Sequence, residues 1–197
     1  MRVILVRHGQ TEWNLQNRIQ GWMDSPLTAQ ARKETENIDI ANLQHPIIYT
    51  SDLGRACSTA TILANKFQGR VVVDCRLRER RFGILEGCVI DQDIELYREW
   101  AAYQRRYSHH MTGVYQVEKE QDFEQRVKSF MDTLRCQDAR TDVVIVSHGE
   151  WLRAFQNMLY HLPSWIKGSG IVENITPIEL AWQEADRNEG EKCQQLT

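Results

Sequence analysis

Two apolar, β-branched runs in this chain end in the same way. Val3-Ile4-Leu5-Val6 passes into Arg7-His8-Gly9-Gln10, and Val143-Val144-Ile145-Val146 passes into Ser147-His148-Gly149-Glu150. Continuous runs of this kind predict parallel strands buried on both faces. In open α/β sheets, ligands gather beyond the carboxyl ends of such strands. Each histidine therefore stands where a reaction centre is built, followed by a glycine that lets backbone approach a ligand closely. One such histidine reads as a structural residue; two in matching contexts point to a shared site.

The rest of the chain alternates in the same sense. Pro26-Leu27-Thr28 predicts a helix start with Thr28 as N-cap, and the helix is expected to run to about Leu43, before Pro46. Residues 47–50 predict a strand, residues from about Gly54 to Phe67 a helix, and residues 71–73 another strand. Residues 91–107 and 120–136 read as helices; in the second, Phe123, Val127, Phe130, Met131 and Leu134 share one face. A helix from about Glu150 to His161 groups Leu152, Phe155 and Leu159, and residues 171–175 and 178–183 read as a closing pair of strands. The expectation is a three-layer α/β/α sandwich with a mainly parallel central sheet, one domain over residues 1–197. Residues from about 88 to 120 are expected to cap the site.

Composition narrows the function. The 197 residues suit one proper core, and with 42% hydrophobic and 26% charged residues the chain is globular in character. A net charge of −3 supplies no basic field, so nucleic acid is not an expected partner. No apolar run reaches membrane-spanning length, and the first apolar segment is the strand that carries His8 rather than a signal peptide. Five widely spaced cysteines without a CxxC read as reduced thiols, and a cytoplasmic location is expected. His8, His148, His109 and His110 show no ligand spacing such as HExxH, and Arg7 beside His8 opposes a cation, so no metal or other cofactor is expected. Gly168-Ser169-Gly170 is too short for a phosphate-cradling loop.

The chemistry-bearing segments are Arg7-His8-Gly9-Gln10-Thr11-Glu12-Trp13-Asn14, Arg18-Ile19-Gln20-Gly21-Trp22-Met23-Asp24 and Ser51-Asp52-Leu53-Gly54-Arg55-Ala56. To these add Leu77-Arg78-Glu79-Arg80-Arg81-Phe82-Gly83 with Glu86-Gly87, and Ser147-His148-Gly149. In this order and over residues 2–160 they resemble the histidine phosphatase superfamily, also called phosphoglycerate-mutase-like, and within it the phosphatase branch. The residues' own chemistry agrees. A phosphoryl group carries nearly two negative charges, and arginine forks match its oxygens. Arg7 adjoins His8, while Arg55 opens a helix whose N–H groups also attract an anion. A neutral imidazole attacks phosphorus to give phosphohistidine, and two nearby guanidinium groups disfavour its protonated form.

Which histidine attacks is not decided by their contexts, which are alike; the resemblance implies His8 as nucleophile and His148 as donor to the transferring oxygens. It implies Glu79 as the acid that protonates the leaving alkoxide and then activates water. Asn14 matches a phosphate contact, and Gln20 and Gly21 match a substrate-facing loop. The expected phosphate- and substrate-binding set is thus Arg7, His8, Asn14, Gln20, Gly21, Arg55, Glu79, His148 and Gly149. Arg78, Arg80 and Arg81 flank Glu79, and in contact they would favour its charged, basic form or simply pair with it. Glu86 reads as structural, and Trp13 and Trp22 as pocket edge or core. Arg105-Arg106, near His109-His110, reads as a solvated helix face, with recognition of a second anion as the alternative.

Two departures from the family pattern stand out. Val117-Glu118-Lys119-Glu120 replaces a glycine-glutamate-serine segment, and Ala31 replaces a glycine. Related mutases carry a larger insertion between the acid and the second histidine, which favours the phosphatase branch here. The leading expectation is hydrolysis of a small phosphorylated metabolite through phosphohistidine. The alternatives are phosphoglycerate mutase-type transfer and a non-catalytic phospho-ligand-binding protein.

Overall fold

The computed structural model describes residues 1–138, 140–180 and 182. The two apolar runs become adjacent central strands, β1 (Val3–Arg7) and β4 (Val143–Ser147), paired in parallel with Arg7 opposite Ser147. β2 (Ile47–Thr50) lies on the other side of β4, and β3 (Arg70–Val73) lies beyond it, both parallel. β5 (Ile178–Leu180) closes the opposite edge antiparallel to β1, giving the order β3-β2-β4-β1-β5.

Side chains alternate across a strand, so each central strand serves two cores. Val3, Leu5, Val143 and Ile145 pack with α5 (Glu120–Arg135) and α6 (Gly149–Leu159). Ile4, Val6, Val144 and Val146 pack with α2 (Ala29–Asn37) and α3 (Gly54–Phe67). Neither face meets water, which is why both runs are apolar at every position. The result is the expected three-layer α/β/α sandwich.

Several element ends differ from expectation. Thr28 does cap α2, its hydroxyl accepting from the Ala31 N–H at 3.0 Å. The helix stops at Asn37 rather than Leu43, because Ile38 and Ile40 are both buried in the same core. Two residues apart they would stand about 200° apart on a helix, so an extended backbone at Ile38 serves both. The helix expected over 91–107 shrinks to α4 (Tyr97–Gln104), preceded by a short 3-10 turn over Ile94–Leu96 that Asp93 caps. The structure adds a one-turn helix, α1 (Glu12–Leu15), too short to show periodicity in the sequence; Thr11 and Asn14 close it with a capping box.

Residues 171–175 do not form a strand. They meet the sheet as an isolated bridge, Asn174 opposite Arg7 with the Ile175 N–H donating to the Arg7 carbonyl at 3.1 Å, and Ile175 takes a left-handed φ of 58° that turns the chain away. The strand expected over 178–183 is a strand to Leu180; residues 181 and 183 lie outside the described residues, as do Cys193 and the last part of the expected domain. No helix among the described residues is long and apolar enough to cross a membrane.

A third apolar cluster lies off the sheet. Trp100, Met111 and Val114 pack there with Ile19, Phe82 and Leu85, which fixes the segment after residue 88 against the loops carrying Gln20 and Glu79.

Trp151 tests the core on the α5/α6 face. It stacks on Phe155 at 5.2 Å, meets the edge of Phe130 at 5.6 Å, and donates its indole N–H to the Arg76 carbonyl at 2.8 Å. Trp151→Ala is expected to cost about 3–5 kcal/mol of unfolding free energy, read from the denaturant midpoint. Val73→Ala, on the exposed edge strand, should stay within about 0.5 kcal/mol.

Candidate active site

The β1–β4 register sets the two histidines side by side. Adjacent strands run about 4.8 Å apart, and the rings of His8 and His148 lie 5.1 Å apart. The His8 N–H extends the ladder by one bond to the Ser147 carbonyl at 3.0 Å. Nδ1 of His8 lies 2.8 Å from the Gly9 carbonyl. A carbonyl only accepts, so Nδ1 carries the proton and Nε2 keeps its lone pair. Arg55 Nε–H donates to that Nε2 at 3.3 Å. Burial, then the charges of Arg55 and Arg7, hold the His8 pKa well below the ordinary value, so the ring is neutral. Asn174 pins the His8 carbonyl through a 2.6 Å bond from its side-chain amide.

His148 caps the start of α6 and is fully buried. Its Nε2 lies 2.7 Å from the Ser51 hydroxyl, and its Nδ1 is buried without a partner among the described residues. Burial, Arg55 and His8 hold its pKa well below the ordinary value as well.

Arg55 lies in the first turn of α3 and is 2% exposed. Its guanidinium donates to the Met23 carbonyl at 2.8 Å, to Asp24 Oδ1 at 3.1 Å and to the Gly21 carbonyl at 2.8 Å. Two glycines permit this. A Cβ on Gly54 would collide with the Asp24 carboxylate, and Gly21 combines a φ of 52° with a Glu86 carboxylate lying where a Cβ would be. Glu86 is structural as expected: Oε1 accepts from the N–H groups of Trp22 at 3.1 Å and Phe82 at 2.8 Å. Arg7 donates to the Val172 carbonyl at 3.1 Å and leaves its Nε–H buried without a partner among the described residues. Asn14 Oδ1 is committed to Thr11, which leaves its NH2 as the available group. Gln20 Oε1 is buried and has no partner among the described residues.

Glu79 overturns the expectation drawn from its neighbours. Arg78 turns to Asp52, Arg80 to Glu120 at 2.8 Å, and Arg81 lies over the Trp22 ring. In an extended segment consecutive side chains leave in different directions, so sequence adjacency brings none of these guanidinium groups onto Glu79. Its carboxylate oxygens accept instead from backbone: Arg80 N–H at 2.9 Å and Trp151 N–H at 3.3 Å on Oε1, Glu150 N–H at 3.3 Å on Oε2. Desolvation, then the Glu150 carboxylate, push the Glu79 pKa up against those N–H groups and Arg55.

Backbone contacts hold Glu79 in place. Trp22 Nε1–H donates to its carbonyl at 2.8 Å, and Arg126 donates to the carbonyls of Arg76 at 2.8 Å, Arg78 at 2.5 Å and Glu79 at 2.9 Å. Glu118 grips Arg126 at 2.7 and 2.9 Å, so the divergent 117–120 stretch contributes through that arginine. Ala31, the other departure, packs where a Cβ on Gly9 would sit, 3.2 Å away.

Of the nine residues expected at phosphate or substrate, eight line one cavity of about 190 Å³: Arg7, His8, Asn14, Gln20, Gly21, Arg55, Glu79 and Gly149. The ninth, His148, packs its ring against His8. Trp13 and Trp22 are half-buried and off the cavity wall. Arg106 corrects the solvated-face reading: it lines the cavity and pairs with Glu150 at 2.8 Å. Arg105 is exposed, His109 meets Ser108, and His110 packs on Trp165, all away from the cavity. Arg18, Tyr103 and Glu150 also line it and were not anticipated. Glu150 directly follows His148-Gly149 in the sequence, but nothing there shows a charged residue turned inward.

Comparison with known proteins gives the family. The family model of the histidine phosphatase superfamily, branch 1, matches residues 3–188. A protein of Escherichia coli named "Probable phosphoglycerate mutase" is 32% identical over 190 residues, covering 94% of this chain and 86% of its own. A mycobacterial glucosyl-3-phosphoglycerate phosphatase in complex with VO3 superposes with a TM-score of 0.77 at 27% identity, covering 94% of this chain and 93% of that one. The alpha-ribazole phosphatase of Shigella flexneri superposes with a TM-score of 0.76 at 25% identity, covering 93% and 92%.

The buried imidazoles give the fold an acid sensitivity. Their folded pKa values lie below the unfolded ones, so the unfolded chain binds more protons below about pH 6.5 and stability falls as pH drops. Each contributes a slope approaching about 1.4 kcal/mol per pH unit, and two imidazoles outweigh the opposite contribution of Glu79. The melting temperature should fall from pH 7 to 5.5, and His148→Gln should flatten the slope. An unchanged slope would show that His148 takes up no proton on unfolding.

Proposed function

The chain belongs to the histidine phosphatase superfamily, an enzyme family, and from that premise we propose that it hydrolyses a phosphomonoester through a phosphohistidine on His8. One observation carries the reading: a neutral His8, fixed with its lone pair on Nε2, lines a cavity walled by four arginines and two carboxylates. That excess of positive charge suits a phosphoryl dianion.

In the first step Nε2 attacks phosphorus, the P–O ester bond breaks, and the leaving oxygen takes the proton from Glu79. In the second, Glu79 as carboxylate removes a proton from water, which attacks phosphorus and breaks the P–N bond. Phosphate leaves, and His8 is neutral again. The unpaired Arg7 Nε–H, the remaining Arg55 N–H and His148 Nδ1 supply donors to the phosphoryl oxygens, fixed before substrate arrives. The acid assignment follows from two carboxylates in contrasting settings. Burial opposes ionisation of Glu150 too, but Arg153 and Arg106 outweigh it and hold its pKa below the ordinary value, whereas Glu79 is pushed up.

The cavity of about 190 Å³ is smaller than the roughly 300–1,000 Å³ typical of drug-sized ligands, which supports a small phosphorylated metabolite. The segment from 88 to 120 caps it and contributes Ile90, Tyr103 and Arg106 to its wall. The second reading, phosphoglycerate mutase-type transfer, draws on the name of the E. coli relative. Against it, Arg106 is already committed to Glu150, the Tyr103 carbonyl and the Tyr107 hydroxyl. A pure binder has no use for a tautomer-locked nucleophile beside a carboxyl whose pKa is raised.

His8→Ala should abolish hydrolysis of p-nitrophenyl phosphate, and rapid quench of the wild type should trap acid-labile phosphate on His8. Retained turnover in the variant would end the nucleophile assignment. Glu79→Gln should slow an alkyl phosphate by about 10²–10⁴-fold and p-nitrophenyl phosphate far less, because nitrophenolate leaves without a proton. Assaying inorganic phosphate release against phosphoryl transfer on a phosphoglycerate separates hydrolase from mutase.

A further inference from the structure

Glu150 holds the most heavily bonded carboxylate in the cavity. Oε1 accepts from Arg106 Nε at 2.8 Å and the Tyr107 hydroxyl at 2.7 Å; Oε2 accepts from Arg153 Nε at 3.1 Å and Nη2 at 2.8 Å. Its side chain is 5% exposed. Arg106 and Tyr107 follow α4, while Arg153 lies one turn further along α6. Two further donors anchor Arg153 to the Ser164 and Ile166 carbonyls. A buried carboxylate is costly unless paired in this way, and a neutral side chain here would dispense with the whole cradle.

The neighbouring acid shows what the charge can do. Glu79 receives the N–H groups of Glu150 and Trp151, the first turn of α6, where backbone favours an ionised carboxylate. Arg7 at the end of β1 and Arg55 on α3 act on it in the same direction. Tyr103 of α4 is neutral, its phenol pushed up to about 12, and Arg126 of α5 bonds the Glu79 carbonyl rather than its carboxyl. Among these groups Glu150 alone repels negative charge; Arg106, on the same cavity wall, and Arg153 bond its carboxylate and offset part of that repulsion. We propose that Glu150 is a positioning residue whose fixed negative charge keeps the proton on Glu79 between turnovers. Arg106, Tyr107 and Arg153 hold that charge in place. The inference rests on Glu79 being the general acid.

The test reads the basic limb of the pH profile of kcat/KM for glycerol 3-phosphate, with p-nitrophenyl phosphate as the control that needs no acid. Glu150→Gln should move that limb down by about one pH unit, on the order of a tenfold loss above it. The control should keep its limb. Glu150→Asp, which keeps the charge, should restore the wild-type profile. Arg106→Gln unmasks Glu150 and should move the limb the other way, to higher pH. It also serves alone if Glu150→Gln fails to fold with two arginines left unpaired. Limbs unmoved in the folded variants would overturn the proposal. Equal losses on both substrates in Glu79→Gln would instead remove the general-acid reading, so the two failures are distinguishable.

Discussion

The parallel pairing of β1 with β4 is the contact on which everything else in this molecule depends. With Arg7 opposite Ser147, the next residue on each strand is a histidine, and the spacing between strands becomes the spacing between rings. A slip of one residue would send one imidazole to the other face of the sheet, since strand side chains alternate. That register is secured by complete burial: each strand feeds two cores at once, and any slip exchanges their side chains.

The same burial sets the electrostatics. Removed from water, both imidazoles stay neutral, so each keeps a ring nitrogen lone pair without having to lose a proton. Arg55 is fixed by backbone carbonyls, Asp24 and His8 before any anion arrives, so little reorganisation is left to be done on binding. Glu79 and Glu150 lie one backbone hydrogen bond apart in the chain's fold, yet their pKa values are pushed in opposite directions. Glu150 is surrounded by guanidinium groups, whereas Glu79 meets chiefly backbone N–H. Environment rather than residue type pushes their pKa values apart.

Much of this was legible in the sequence. Strands fully buried on two faces write themselves as unbroken β-branched runs, and a long amphipathic helix such as α5 exposes its period directly. α3 and the Thr28 cap were also readable, because caps and periodicity are local. Features set by distant contacts were not. α2 stops early to serve Ile38 and Ile40, and residues 171–175 leave the sheet at Ile175, choices made by the core and not by propensity.

The sequence by itself determined an α/β sheet, two strand-end histidines and the arginines able to hold a phosphoryl group, since residue type and period encode these directly. Only the tertiary structure decided how those groups are charged and which neighbours they meet. Arg78, Arg80 and Arg81 adjoin Glu79 in the chain but turn away from it, while Glu150, 71 residues further on, donates a hydrogen bond to it. Protonation follows distance and solvation in space, and chain order specifies neither.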